Sequence, residues 1–224
     1  MKTLNWNAVG RFLSVVQNVY VVIRDGLSGL GIGFEILEWI TGDGKESFTE
    51  EFLKPLGAKF LQECRIIEVD DNTIRVNLDA PPTLPFDGAT VKTNKGGGWV
   101  EVQKRADGLY IAGRKVILHL SERQKDGKVV KGYELFDEVT GLPVLHPNIL
   151  DALLEYTQLI PEEWKKDENG NTIYIFFWAV TFGNQDVYVY VRYLCFDGDR
   201  WSRNYSRLGG SFVGSSPAAV LAGN

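Results

Sequence analysis

A chain of 224 residues, 44% hydrophobic and 24% charged, buries a core in one large domain or two small ones, which excludes global disorder. Its net charge of -5, with lysines and arginines interleaved among acids, excludes the clustered basic surface that nucleic acid requires. Two cysteines, Cys64 and Cys195, and two histidines, His119 and His146, stand at no zinc spacing, so no metal or cofactor is expected.

The first sixty residues read as helical. Asn7 is placed to cap a helix over 7–23, where Val9, Phe12, Val16, Val19 and Ile23 share one face. Glycines at 26, 29, 31 and 33 break it, and Phe34–Ile40 forms a second, short helix. Ser47 and Glu50 make a capping-box pair for a third, which Pro55 kinks or splits. Arg11, Arg24, Asp25, Glu35 and Glu38 interrupt the apolar run, so neither a membrane span nor a secretory signal is expected. A cytoplasmic or virion-associated location follows. The apolar face of 9–23 packs on its own domain or, in a structural subunit, on another copy.

After Cys64 the period changes to two. Ile67, Val69, Ile74, Val76 and Leu78 alternate around Asp71-Asn72, which predicts a hairpin. Pro81, Pro82, Pro85 and Gly88 mark either a domain boundary or a surface loop. Taking the boundary gives a helical region with a hairpin over 1–79 and a second domain over 80–224. Gly96-Gly97-Gly98 lacks the Lys-Ser/Thr of a phosphate-binding loop and reads as a turn. From Trp99 to Leu135 the chain is strand-like, with turns at Asp107-Gly108, Ala112-Gly113 and Asp126-Gly127. A short helix over 148–156 presents Leu150, Leu153 and Leu154 to a core, and Pro161 opens a single helical turn to Trp164. Asn169-Gly170 predicts a tight turn before Thr172–Thr181, which is apolar on both faces and so a central strand. Val187–Phe196 is a second long strand.

Enzyme signatures are sparse. His119 lies in an apolar strand and reads as a satisfied structural histidine, and His146 as a residue at a helix start, more exposed than His119. Glu162 and Glu163 are adjacent and project about 100 degrees apart on a helix, a poor acid–base pair. Asn184-Gln185-Asp186 and Asp197-Gly198-Asp199 read as acidic hairpin tips rather than calcium loops. No catalytic residue is assigned. The alternative reading is an enzyme or nucleic-acid-associated protein whose site is assembled from scattered residues such as Glu163, His119, Cys195 and Asp199.

The last segment, DGDRWSRNYSRLGGSFVGSS over 197–216, sets Trp201, Tyr205, Leu208 and Phe212 among small and polar residues. The spacing suits a helix, but Gly209-Gly210, Gly214 and the serines oppose one. An irregular, loop-rich segment pinned by four bulky residues is expected, against the simpler reading of a Gly/Ser-rich surface loop. The stretches VLHPNILDALLEYTQLIPEEWK, IYIFFWAVT, VYVRYLCFDGDRW and PAAVLAG, spread over 144–223, resemble the variable proteins of diversity-generating retroelements. In that family, adenine-directed mutagenesis diversifies the segment ahead of the terminal PAAVLA. The resemblance implies a C-type-lectin-like domain with a small antiparallel sheet, hence an α+β protein with a helical N-terminal region. It also implies that Ser202, Arg203, Asn204, Ser206, Arg207, Gly209, Gly210, Ser211, Val213, Gly214, Ser215 and Ser216 contact a protein or cell-surface ligand. Arg203 and Arg207 are the strongest contact candidates, since arginine is favoured at interface centres and serine is not.

Overall fold

The computed structural model describes residues 64–223, together with Glu46. The helices expected at 7–23, at 34–40 and after Ser47 lie outside the described residues. The chain divides into two compact units, Met1–Lys59 and Phe60–Asn224, and the strands and helices named below belong to the second.

The α+β expectation is corrected. Strand and bridge residues make up 43% and helical residues 17%, with two α-helices among the described residues. In place of a small antiparallel lectin-like sheet there is a ten-stranded mixed sheet. Hairpin β1 (Ile66–Asp70) and β2 (Thr73–Asn77) turns at Asp71-Asn72, as its alternation predicts. Strand β3 (Thr90–Asn94) follows the proline-rich stretch 80–88, and β4 (Trp99–Arg105), β5 (Gly108–Ile111) and β6 (Arg114–His119) form a meander. Next come β7 (Val130–Lys131), helix α1 (Gly132–Val139) and helix α2 (Pro147–Glu155). The chain ends with β8 (Ile175–Gly183), β9 (Val189–Asp197), β10 (Arg200–Arg207), β11 (Ser211–Phe212) and β12 (Ala218–Leu221). The order is β1-β2-β4-β5-β6-β12-β8-β9-β10, with β3 on β8, and β11 pairs with β7 separately.

Strand β12 is what makes the sheet large. It runs antiparallel to β6 and parallel to β8, so it joins the meander to the long hairpins. Its sequence, AAVL, is short and half alanine, which carries little strand propensity, so periodicity does not reveal it. Helix α1 was likewise hidden. Val129 and Val130 extend the strand pattern up to its start, and Lys131 at its N-cap offers no side-chain bond.

The sheet is packed on both faces. Helix α2 sets Leu150 and Leu153 with Ile175, Phe177 and Leu194, and with Ile74 and Val76 of β2. On the other face Leu135 and Val139 of α1 pack with Phe176, Trp178, Leu208 and Phe212. Every residue of β8 is buried, as a central strand requires. The Phe212 ring lies 4.8 Å from that of Phe176 and 5.5 Å from that of Trp178.

Between β10 and α1 the contact is backbone to backbone. The first amides of α1 donate outward, Gly132 to the Gly210 carbonyl at 3.2 Å and Tyr133 to the Leu208 carbonyl at 3.1 Å. The turn after β10 thus satisfies donors that a helix start leaves open. Close approach is possible because residue 132 is glycine: a Cβ there would lie 2.5 Å from the Leu208 oxygen.

Phe212 is 1% exposed at the centre of this aromatic group. Replacing it with alanine is expected to lower unfolding free energy by about 3–5 kcal/mol. Urea denaturation checks this, and a change below about 1 kcal/mol would show that Phe212 does not hold the segment.

Candidate functional site

Strand β10 is the last strand on its side of the sheet and pairs with β9 from Arg200↔Asp197 to Arg207↔Tyr190. The segment expected to be irregular is therefore a regular edge strand over 200–207. Alternation gives it two faces. Ser202 and Ser206 are half-buried on one, with the Ser202 hydroxyl 3.4 Å from Cys195 Sγ. Trp201, Arg203, Tyr205 and Arg207 are on the other, beside α2. Arg203, Asn204, Tyr205 and Arg207 are exposed.

The four expected anchors divide into two kinds. Leu208 and Phe212 are buried, and Trp201 is half-buried edge-on to Phe196. Tyr205 is 37% exposed. Its ring stands 5.1 Å from Phe86 and 5.6 Å from Tyr190, in a group of three on the strand face. The Arg207 guanidinium lies 3.8 Å over the Tyr188 ring. Tyrosine, arginine and phenylalanine are residue types enriched at protein interfaces.

Beside this aromatic group sits an ion cluster. Asp151, on α2, accepts from Arg192 through both oxygens, at 3.0 and 2.5 Å, and from Arg203 at 2.7 Å. The Arg192 side chain is 2% exposed and also donates to the Thr83 carbonyl at 3.2 Å. Burial by itself pushes the Asp151 carboxyl upward. The hydrogen bond and charge of Arg192, with Thr83 and Arg203 adding to them, outweigh that and hold it below the usual carboxylate range. Leu84, Pro85, Arg192, Arg203, Asn204 and Tyr205 enclose a pocket of about 130 Å³ at this point.

Beyond Arg207 the remaining expected contact residues diverge. Gly209 and Gly210 form the turn onto α1, and Ser211 is exposed on β11 opposite Lys131. The buried Gln124 amide donates to the carbonyls of Val213 and Ser216, at 3.0 and 2.9 Å, and so fastens the loop. Ser216 is buried, which removes its side chain from the expected surface. Val213, Gly214 and Ser215 line an open groove of about 1060 Å³ with Lys125, Asp126, Lys166 and Asn169. The twelve residues thus map to both faces of an edge strand, a structural turn, β11, a groove wall and, for Ser216, the interior. Asp151, Arg192, Tyr188, Tyr190 and Phe86, absent from the sequence-based set, complete the strand face.

The scattered enzyme candidates do not converge. His119 pairs with Ala218, Ala218 with Phe176 and Phe176 with Tyr193, so His119 and β9 are three strand spacings apart, about 14 Å. Asp199 lies in the tight β9–β10 turn, and Glu163 lines the groove. Cys195 is a free, buried thiol whose pKa burial pushes up, which disfavours the nucleophilic thiolate. The Nε2 atom of His119 is buried with no hydrogen-bond partner among the described residues, contrary to the expectation of a satisfied histidine. Among the described residues no group of three or more His, Cys, Asp or Glu side chains is placed to hold a metal ion. No helix among them is long and apolar enough to cross a membrane. No family model, curated protein or solved structure matches the chain.

His146 is 2% exposed, more buried than its position beside Pro147 implied. It caps α2: Nδ1 accepts from the Asn148 amide at 3.1 Å, and Nε2 is 3.1 Å from Asn94 Oδ1. With Nδ1 an acceptor, the ring is neutral and Nε2 carries the proton. Burial lowers its pKa to about 4, against 6.5 for an exposed histidine. Between these values the unfolded chain binds the extra proton, so stability is full above pH 6.5 and is lost as pH falls towards 4. The wild-type melting temperature should fall across that window, and His146→Asn, which keeps a capping oxygen, should flatten the fall. Equal slopes for the two proteins, read by thermal melts at several pH values, would remove His146 as the cause.

Proposed function

We propose that this chain is a target-binding protein rather than an enzyme, and that its contact surface is the set of exposed side chains of β10 with the loop that follows. One observation carries the reading. Arg203, Asn204, Tyr205 and Arg207 are exposed on an edge strand whose position is set by β9, Leu208, Phe212 and backbone bonds to α1. Side chains that are not the main supports of the fold are free to serve recognition, and of these four Arg203 alone also bonds Asp151.

The surface has the chemistry of an adaptable binding face. Tyrosines give large contact area at low entropic cost, arginines give directed charge, and Ser, Gly and Asn give hydrogen bonds that adjust to a partner. The resemblance of 144–223 to the variable proteins of diversity-generating retroelements adds a source of diversity at these positions. Diversification of 202–215 would then change the target while the scaffold stays constant. The partner class this implies is a protein or cell-surface ligand, and the setting a cytoplasm or a virion.

The flanking DNA tests the reading. A reverse-transcriptase gene and a near-repeat of the 3′ coding region, differing from it at template adenines, are expected. Coding variants from related isolates should differ chiefly at 202–215. Flanking DNA without either element, or variation spread evenly over 64–223, would overturn it. At the protein level, Arg203→Ala with Arg207→Ala should lower Tm by no more than about 4 °C, since both side chains are exposed and Asp151 keeps both of its bonds to Arg192. Loss of the folded state in that double variant would make the arginines structural.

A further inference from the structure

The ion cluster at Asp151 is unbalanced. Two guanidinium groups face one carboxylate, leaving one net positive charge. Arg192 is consumed by its partners, with bonds to both Asp151 oxygens and to the Thr83 carbonyl. Arg203 is not. Its side chain is 47% exposed and uses Nη1 alone, and its Nε and Nη2 groups have no hydrogen-bond partner among the described residues. These donors belong to a residue that lines the 130 Å³ pocket.

The pocket's size and charge narrow what fits. Small-molecule sites usually enclose about 300 Å³ or more, so a pocket of about 130 Å³ admits one functional group rather than a metabolite. Leu84 and Pro85 form the apolar side of the pocket, against which the methylenes of an acidic side chain can pack. One surplus positive charge matches a monoanion. A phosphate dianion would leave a negative charge next to Asp151, which is already paired. The wider field agrees: residues 200–223 contain Arg200, Arg203 and Arg207 and no acid, within a chain of net charge -5.

We propose that the pocket between Arg203, Leu84 and Pro85 is a socket for one carboxylate, presented by an Asp or Glu side chain of a protein bound on the β10 face. The socket rests on the reading of that face as a binding surface and names the chemistry it selects. The carboxylate accepts from Arg203 Nε and Nη2 in the two-bond geometry that guanidinium and carboxylate share. Tyr205 and Arg207 then meet the residues on either side of it.

The test is an NMR titration of the full chain, following the arginine Nε–H signals. The probes are a blocked hexaglutamate peptide, a blocked hexaglutamine peptide and inorganic phosphate. The glutamate peptide should shift the Arg203 signal saturably, the glutamine peptide should not, and phosphate should bind more weakly than glutamate. Arg203→Gln should reduce peptide affinity at least tenfold. Leu84→Glu, which places a negative charge on the exposed wall, should do the same without removing any contact to Asp151. Backbone amide spectra confirm that both variants are folded. Equal shifts at Arg200, Arg203 and Arg207, tighter binding of phosphate, or no loss in either variant would overturn the socket. The binding reading has its own readout. If Tyr205→Ala and Arg207→Ala reduce capture of a target selected against the purified chain while the socket test fails, the surface stands without the socket. If they leave capture unchanged, the surface itself fails.

Discussion

Asp151 is the point at which separate parts of this unit are bound together. It stands on α2, its principal partner Arg192 on β9, its second partner Arg203 on β10, and the Arg192 guanidinium also reaches the Thr83 carbonyl in the stretch before β3. Burying a guanidinium and a carboxylate costs several kcal/mol per ion unless their bonds are well made. Here both oxygens are occupied and the geometry is two-pronged, so the cluster tolerates one arrangement of helix and hairpin. An apolar contact would tolerate sliding. The pair therefore acts less as a source of stability than as a positioning device, and it fixes where the edge strand lies relative to α2.

The remaining restraints divide the C-terminal stretch by function. Leu208 and Phe212 sink into the α1 face of the sheet. The turn between them bonds to α1 through carbonyls, and Gln124 holds the next loop through two more. Outside these points the side chains meet solvent or one another. The Phe86, Tyr190 and Tyr205 rings and the Arg207–Tyr188 stack are contacts of the surface layer. At the neighbouring turn, Val187 is 83% exposed at φ 68°, an uncommon conformation for a branched side chain. That places an apolar group at the edge of the same surface.

Much of the fold was legible where local chemistry decides it. The turns at Asp71-Asn72, Ala112-Gly113 and Asp126-Gly127, the central strand β8 and helix α2 all follow from alternation, turn residues and Pro147. What escaped depends on distant partners. The short β12 is a strand because β6 and β8 flank it, and α1 starts where Leu208 and Gly210 supply acceptors. The lectin-like expectation came from resemblance rather than from periodicity, and it failed on sheet size. At the site, Arg203 and Arg207 were legible as exposed arginines among small residues. Asp151 and Arg192 were missed, although each is a lone charge in an otherwise apolar run, NILDALL and VYVRYLCF. A charge so placed requires a buried counterpart, and that rule would have paired them.

The amide bonds from Gly132 and Tyr133 to the turn at 208–210 have an evolutionary consequence. A main-chain bond is indifferent to the codon that wrote the residue. Substitutions at 204, 205, 207, 211 and 213 therefore alter what the molecule shows without altering how it is mounted, whereas residue 203 also reaches Asp151. Gly132 is the counterweight: it has no room for even a methyl group, so freedom on one side of the contact is secured by invariance on the other.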